Sequence, residues 1–203
     1  MKTDKGSSHH VRFNELLHQA LETERGGVKI YQTALTCVQN SDLREEWEEY
    51  LAQTEHHVEV LEKVLKVLDL ESQTGSGQDV VKHIGESLVQ AMEMAKQSGD
   101  SAGAELVAAE CIVYAETKDH MNWHLIGKLA DELPDEQAKV LREAYEEVEP
   151  EEDEHLYHGR GWARELWLSA LGLAAILPPP EEEEDVHSAI EAAETEAESE
   201  ANR

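Results

Sequence analysis

The sequence predicts an all-α protein: an up-down four-helix bundle with an extra helix between its second and third long helices. Apolar residues recur at alternating spacings of four and three along four long segments, which is the mark of helices packed along a seam. Ala, Glu, Leu and Val dominate, and aromatics make up only 5% of the chain, a composition that favours helix over sheet. The connections have unequal lengths, with short turns within two pairs of segments and a long stretch between the pairs, as one crossover in a bundle requires.

The first long segment is predicted over about residues 11–38 from the seam Leu17, Leu21, Glu24, Val28, Tyr31, Leu35 and Val38. Asn40-Ser41-Asp42 breaks that pattern, and Asp42 with Glu45 three residues later reads as a capped start. The second segment then runs to about Leu70 with Trp47, Tyr50, Thr54, His57, Leu61, Val64 and Leu68 inward. Gly75-Ser76-Gly77 marks a loop, and residues 80–97 read as a shorter amphipathic helix with Val81, Ile84, Leu88, Met92 and Ala95 on one side. After Ser98-Gly99-Asp100-Ser101 the third long segment, about 102–133, carries Leu106, Ala109, Val113, Glu116, His120, Trp123, Gly127 and Ala130.

Pro134-Asp135 forms the next turn. The fourth long segment extends to about Leu173 through Leu141, Tyr145, Val148, Glu152, His155, Gly159, Trp162 and Leu166. Pro150 removes the amide that would bond the carbonyl of Glu146, so a kink or break is expected there. The triple proline Pro178-Pro179-Pro180 ends the helical pattern and Glu181 opens an acidic run. The expected organisation is a flexible N-terminus over 1–10, a bundle over 11–173, and an acidic, disordered tail over 174–203 with at most a weak helix around Ile190.

The net charge of −28, from 45 acidic and 17 basic residues, excludes nucleic acid and anionic membrane as partners. A solvated acidic face plus an acidic tail accounts for this excess more simply than adaptation to a high-salt cytoplasm. Cys37 and Cys111 have no C-x-x-C spacing and fall within helical segments, so buried free thiols are expected. Met1 to Val11 lacks an apolar signal core and no stretch reaches transmembrane length, which points to a cytoplasmic protein.

The chemistry lies in the seams. Glu24, His57, Glu116 and Glu152 occupy positions where apolar residues belong, and none of the seam positions in the four long segments is Lys or Arg. Measured from the first turn, Glu24 lies about 16 residues before it and His57 about 16 after, each roughly 25 Å along a helix. From the second turn, Glu116 lies about 17 residues before and Glu152 about 18 after, so all four share one depth. His120 and His155 sit one helical turn from Glu116 and Glu152 on the same faces. Carboxylates gathered in a dry interior without a fixed cation must either bind protons or bind metal. Carboxylates mixed with imidazoles suit Fe, Mn or Zn over Ca or Mg. Glu152-x-x-His155 alone is a weak signal, since the spacing recurs on exposed helix faces; its agreement in depth with three other helices carries the inference.

On these residues the chain resembles the ferritin-like di-iron carboxylate superfamily, to which rubrerythrins and bacterioferritins belong. The resemblance spans roughly residues 11–170 and implies a lone Glu from each of two helices, Glu24 and Glu116. It implies the Glu-x-x-His motif in Glu152 and His155, with His57 as the second helix's imidazole. The stretch from Gly161-Trp162 through Glu165-Leu166-Trp167 to the triple proline also looks like a ferritin-like subfamily, from which no activity carries over.

One position departs from the pattern. Thr54 stands where the superfamily has a bridging Glu, and Glu55 is about 160° around the helix from His57. His120 and His158 are the candidates to complete the ligand set. The expected ligands are therefore Glu24, His57, Glu116, His120, Glu152, His155 and His158, holding iron, with Mn or Zn as alternatives. The resemblance implies an oxidoreductase reacting with dioxygen or peroxide. Metal storage or buffering without turnover, or a metal-free interaction module, are the competing readings, and a homo-oligomer is compatible with the bundle. Asp119 reads as an outer acceptor or surface residue, and Glu110 is left out. Tyr31, Tyr145, Trp123 and Trp162 read as packing, His56 as exposed, and His9, His10, His83 and His187 as tail or outer-face residues.

Overall fold

A computed structural model describes residues 5–70, 76–133 and 135–183. Among them it contains α1 (Lys5–Ala34), α2 (Ser41–Val67), α3 (Ser76–Gln97), α4 (Ser101–Glu132) and α5 (Asp135–Ala170), followed by a 3-10 turn, Pro180–Glu183, and no strand. α1 packs on α2 and α4, and α5 packs on α4 and α2, closing a ring of four helices. α3 lies outside that ring against α1 and α4. No described helix is long and apolar enough to cross a membrane.

The helix ends follow local chemistry. α1 begins at Lys5, ahead of the expected start, and gives way to a turn after Ala34. The cap of α2 is Asn40 and not Asp42: the Asn40 carboxamide oxygen accepts from the amides of Asp42 (2.9 Å) and Leu43 (3.2 Å). Asp42 instead occupies the first turn, where its charge complements the helix dipole. Glu105 of α4 fixes the same connection by accepting from the amides of Gln39 and Asn40, both at 2.7 Å. Asp100 caps α4 through the amide of Gly103.

α5 runs through Pro150 without a break. Pro150 and Glu146 both lie on the exposed face, where water can serve the carbonyl that proline leaves unpaired. The helix stops short of Leu173: Gly172 adopts φ +71° and the Leu173 amide reaches back to the Leu168 carbonyl (2.9 Å). Such a turn favours glycine because a side chain would crowd the backbone. Residues 174–183, expected to belong to a disordered tail, fold back on α5, where the Ile176 amide donates to Glu165 (2.8 Å). The weak helix expected around Ile190 lies outside the described residues.

The interior divides into two apolar clusters. One gathers Ile30, Tyr31, Trp47, Tyr50, Ile112, Trp162 and Leu166; the other gathers Leu17, Leu21, Val60, Leu61, Trp123, Leu141 and Val148. On α4 the buried face is broader than the expected seam and displaced from it. Ala108, Ile112, Ala115 and Asp119 are buried, whereas Leu106, Val113, His120 and Gly127 are only partly covered. The reason is that α4 touches α3 as well as α1 and α5. On α3, Ile84 is exposed, while Met92 is buried. Cys37 and Cys111 are both free and buried, as expected.

Candidate metal centre

Each helix of the ring places a polar group where the two apolar clusters meet. On α1, Glu24 falls between Leu21 of one cluster and Ile30 of the other; on α2, His57 falls between Tyr50 and Val60. On α4, Glu116 lies between Ala115 and Trp123, and on α5, Glu152 and His155 lie between Val148 and Trp162. All five are buried, Glu24, His57 and His155 completely.

Two groups of side chains converge there and share Glu152. Glu24, His57 and Glu152 form one, and Glu116, Glu152 and His155 the other, with donor atoms within 4.8 Å of one another in each. His57 Nδ1 lies 3.0 Å from Glu152 Oε1 and 3.6 Å from Glu24 Oε1. His155 Nδ1 lies 3.6 Å from Glu116 Oε2 and 3.7 Å from the same Glu152 oxygen. The imidazole rings stack at a centroid separation of 5.8 Å. These buried groups could hold a metal ion.

The outward nitrogens are committed elsewhere. His57 donates from Nε2 to Glu151 (2.7 Å), and His155 donates from Nε2 to the Gln53 oxygen (2.8 Å). Each bond fixes its ring and turns Nδ1 toward the carboxylates, the orientation that metal-binding histidines receive from their outer partners. Both Nδ1 atoms, with Glu24 Oε2 and Glu152 Oε2, are buried without an aligned hydrogen-bond partner. So many orphaned polar atoms at one point are costly unless a cation or protons occupy it. The residues present therefore fit a metal.

Protonation follows the same logic in the metal-free protein. Burial alone disfavours charge on His57, but the nearby carboxylates of Glu152 and Glu24 outweigh it and carry its pKa from 6.5 to about 11. His155 is likewise lowered by burial and raised on balance by Glu116 and Glu152. Burial first, then the charge of Glu24, lifts Glu152 from 4.5 to about 7. Tyr31 is held well above the ordinary phenol range by burial and then by Glu116.

Other expected ligands fall outside this pair of groups. His120 sits on the rim of α4, partly exposed, with Nε2 2.8 Å from Asp153 Oδ1. The displaced buried face of α4 brings in its neighbour Asp119, 4% exposed and with an unpartnered Oδ1. Burial, followed by Glu24, Glu152 and Glu116, holds the Asp119 carboxyl well above its usual range. Lys118 partly offsets these charges, and its ammonium bonds Asn122. His158 lies toward the α5 C-terminus, where its Nδ1 and Tyr50 OH share a hydrogen bond (2.8 Å). Thr54 is buried with its hydroxyl on the Tyr50 carbonyl (2.8 Å).

Sequence reasoning also missed Gln53, Glu151 and Trp123, whose indole donates to Glu24 (2.7 Å). For Glu151 a signal existed: it directly precedes Glu152 and can reach across to α2. Gln53 had none, because its role depends on how α5 packs against α2.

The class is thus a helical bundle whose interior carries a carboxylate–imidazole layer able to hold metal. The chain belongs to the family described as Domain of unknown function (DUF892), whose model matches residues 8–156. That span contains Glu24, His57, Glu116, Glu152 and His155 and stops before His158. No curated protein and no solved structure matches the chain.

Proposed function

We propose that this protein is a ferritin-like bundle that binds one or two transition-metal ions, iron foremost with Mn or Zn as alternatives, and acts as an oxidoreductase toward dioxygen or peroxide. The observation that carries the reading is the orientation of His57 and His155. Both present an unpartnered Nδ1 to Glu24, Glu116 and Glu152, while Glu151 and Gln53 hold their other nitrogens. Glu24, His57, Glu116, Glu152 and His155 are the ligands; His120 and His158 stand outside this set.

When bound, iron supplies one-electron chemistry and a Lewis-acidic position toward reduced oxygen species. The chain's own contribution is orientation, dryness and proton placement. The Trp123 N–H fixes the Glu24 carboxylate. The apolar clusters on either side keep bulk water away, which strengthens each electrostatic contact in the layer. His57, and in part Glu152, hold protons in the metal-free state at neutral pH and release them when metal takes their place. Thr54 is smaller than a Glu and spends its hydroxyl on the backbone, which leaves the α2 side of the layer with His57 and no carboxylate.

Stopped-flow mixing of the ferrous protein with dioxygen, and separately with hydrogen peroxide, tests the proposal. Rapid oxidation at one or two irons per chain with no further uptake supports it. Continued uptake of many irons would favour storage, and oxidation no faster than free ferrous ion would remove the enzymatic reading.

A further inference from the structure

A second group of ligating side chains lies outside the central layer, at the other end of Tyr50. Glu46 of α2, His158 of α5 and Glu182 of the 3-10 turn bring donor atoms within 4.8 Å of one another. His158 Nδ1 is 3.6 Å from Glu182 Oε2 and 3.9 Å from Glu46 Oε1. The Trp162 indole N–H is shared between both carboxylates, at 2.7 Å from Glu182 Oε1 and closer still to Glu46. A single N–H cannot balance two carboxylates in a covered pocket. His158 is only 9% exposed, and its Nε2 and Glu46 Oε1 are buried with no hydrogen-bond partner. His158 and Glu182 both lie beyond the part of the chain that the family model matches.

The segment that delivers Glu182 is held at points along its length. The Ile176 amide bonds Glu165. Arg164 pairs with Glu181, with one contact at 2.9 Å. Gly161 lies beneath it, where an added Cβ would sit 2.9 Å from Pro179 Cβ. These contacts dock the segment, yet they bring a carboxylate against another carboxylate: burial and then Glu182 push the Glu46 carboxyl up to about 9, so the pair holds either a shared proton or a cation in its place.

We propose that Glu46, His158 and Glu182 form a second divalent transition-metal site, and that metal there clips the C-terminal segment onto the bundle. Two carboxylate oxygens and one imidazole nitrogen suit Zn, Mn or Fe. Metal at His158 Nδ1 would displace the Tyr50 hydroxyl from that nitrogen. The site shares no ligand with the central layer and does not depend on the function proposed for it.

Zinc is the probe, because it is redox-inert. The full-length protein, Glu182→Gln and Glu46→Gln are each loaded with Zn2+ and dialysed. Bound zinc is counted by elemental analysis, and hydrogen exchange is followed at the amides of Ala174, Ala175, Ile176, Leu177, Glu181 and Glu182, the three prolines between having none. The expected result is one zinc fewer per chain in each variant. Zinc should slow exchange in the segment by about tenfold in the unaltered protein and leave it unchanged in the variants. Glu182 lies after the last long helix, so its replacement leaves the bundle intact. Equal zinc in all three proteins would overturn the proposal, as would a loss confined to one variant. A zinc difference with no change in exchange would overturn the clip.

Discussion

Replacing Glu152 by Gln should stabilise the metal-free protein and destabilise the metal-loaded one. Glu152 is 1% exposed and shared by both ligand groups, and one of its oxygens has no partner. Its rise from 4.5 to about 7 already includes the attraction of His57. At about 1.4 kcal/mol per tenfold, that rise places a cost of roughly 3 kcal/mol on its charged form in the folded state. Gln keeps the shape, removes the charge, and offers an amide to the carboxylates beside it. At pH 8 in EDTA the variant should therefore gain up to about 3 kcal/mol, which for a chain of this size raises Tm by roughly 6–12 °C.

The gain must depend on pH with a defined sign. A carboxyl whose folded pKa is raised contributes stability that is full below its unfolded pKa and lost as pH rises through the folded value. The wild type holds that contribution below 4.5 and has lost it above about 7, so the advantage of Gln should shrink toward pH 5. With metal at several hundred times its dissociation constant, the wild type should gain about 3–4 kcal/mol and the variant far less, reversing their order. Urea denaturation at pH 5 and pH 8, with and without metal, measures all four states. A metal-free Glu152→Gln protein that is less stable than wild type at pH 8, or a difference unaffected by pH, would refute the reasoning.

The remaining predictions probe the same layer and its surroundings. His57, raised to about 11, contributes stability that is full below about pH 6.5 and lost as pH rises through 11; metal near pH 7 must displace its proton and part of that on Glu152, so affinity should rise at least about tenfold per pH unit, readable by calorimetry in buffers of different ionisation enthalpy. Thr54→Glu should restore the missing carboxylate and tighten binding of a second ion, although Thr54 Cγ2 already sits 3.1 Å from where a Cβ on Gly27 would lie; unchanged metal stoichiometry would count against the placement of α2. Gly127→Ala should cost about 1–3 kcal/mol, because the new methyl would meet the Tyr145 ring at 2.7 Å, and a neutral result by thermal denaturation would contradict that contact. With a net charge of −28, raising salt to about 1 M should raise Tm by screening self-repulsion; if the effect vanishes in a chain ending at Pro180, it belongs to the acidic tail and not to the bundle surface.

Periodicity made the helices legible because a seam needs only the spacing of apolar residues, and spacing is written in the chain. The depth argument worked for Glu24, His57, Glu116 and Glu152 because antiparallel neighbours joined by short turns must align residues equidistant from the turn. The seam spacing placed His120 beside Glu116, but a seven-residue repeat assumes one narrow covered face, and on α4 the buried face takes in Asp119 and leaves His120 at its rim. Pro150 misled because a proline's effect depends on whether water can reach the freed carbonyl, which is a property of the packed helix. Gln53 and the grouping of His158 with Glu46 and Glu182 required knowing how distant segments meet. The fold-back of residues 174–183 was hidden by a composition that reads as disordered.

The division of the interior into two greasy halves has a consequence for how the helices choose their vertical alignment. Leucines and valines would pack nearly as well after a slide of one turn, so an uninterrupted apolar bundle has several near-equivalent registers. Here a slide of α1 by one turn would move Glu24 out of reach of His57 and toward the side chains of an apolar cluster, and the same holds for each of its partners. Stranding even one such charge costs several kcal/mol, enough to remove the competing alignment. The residues proposed to grip metal thus also act as a ruler, setting the height at which four similar helices come to rest.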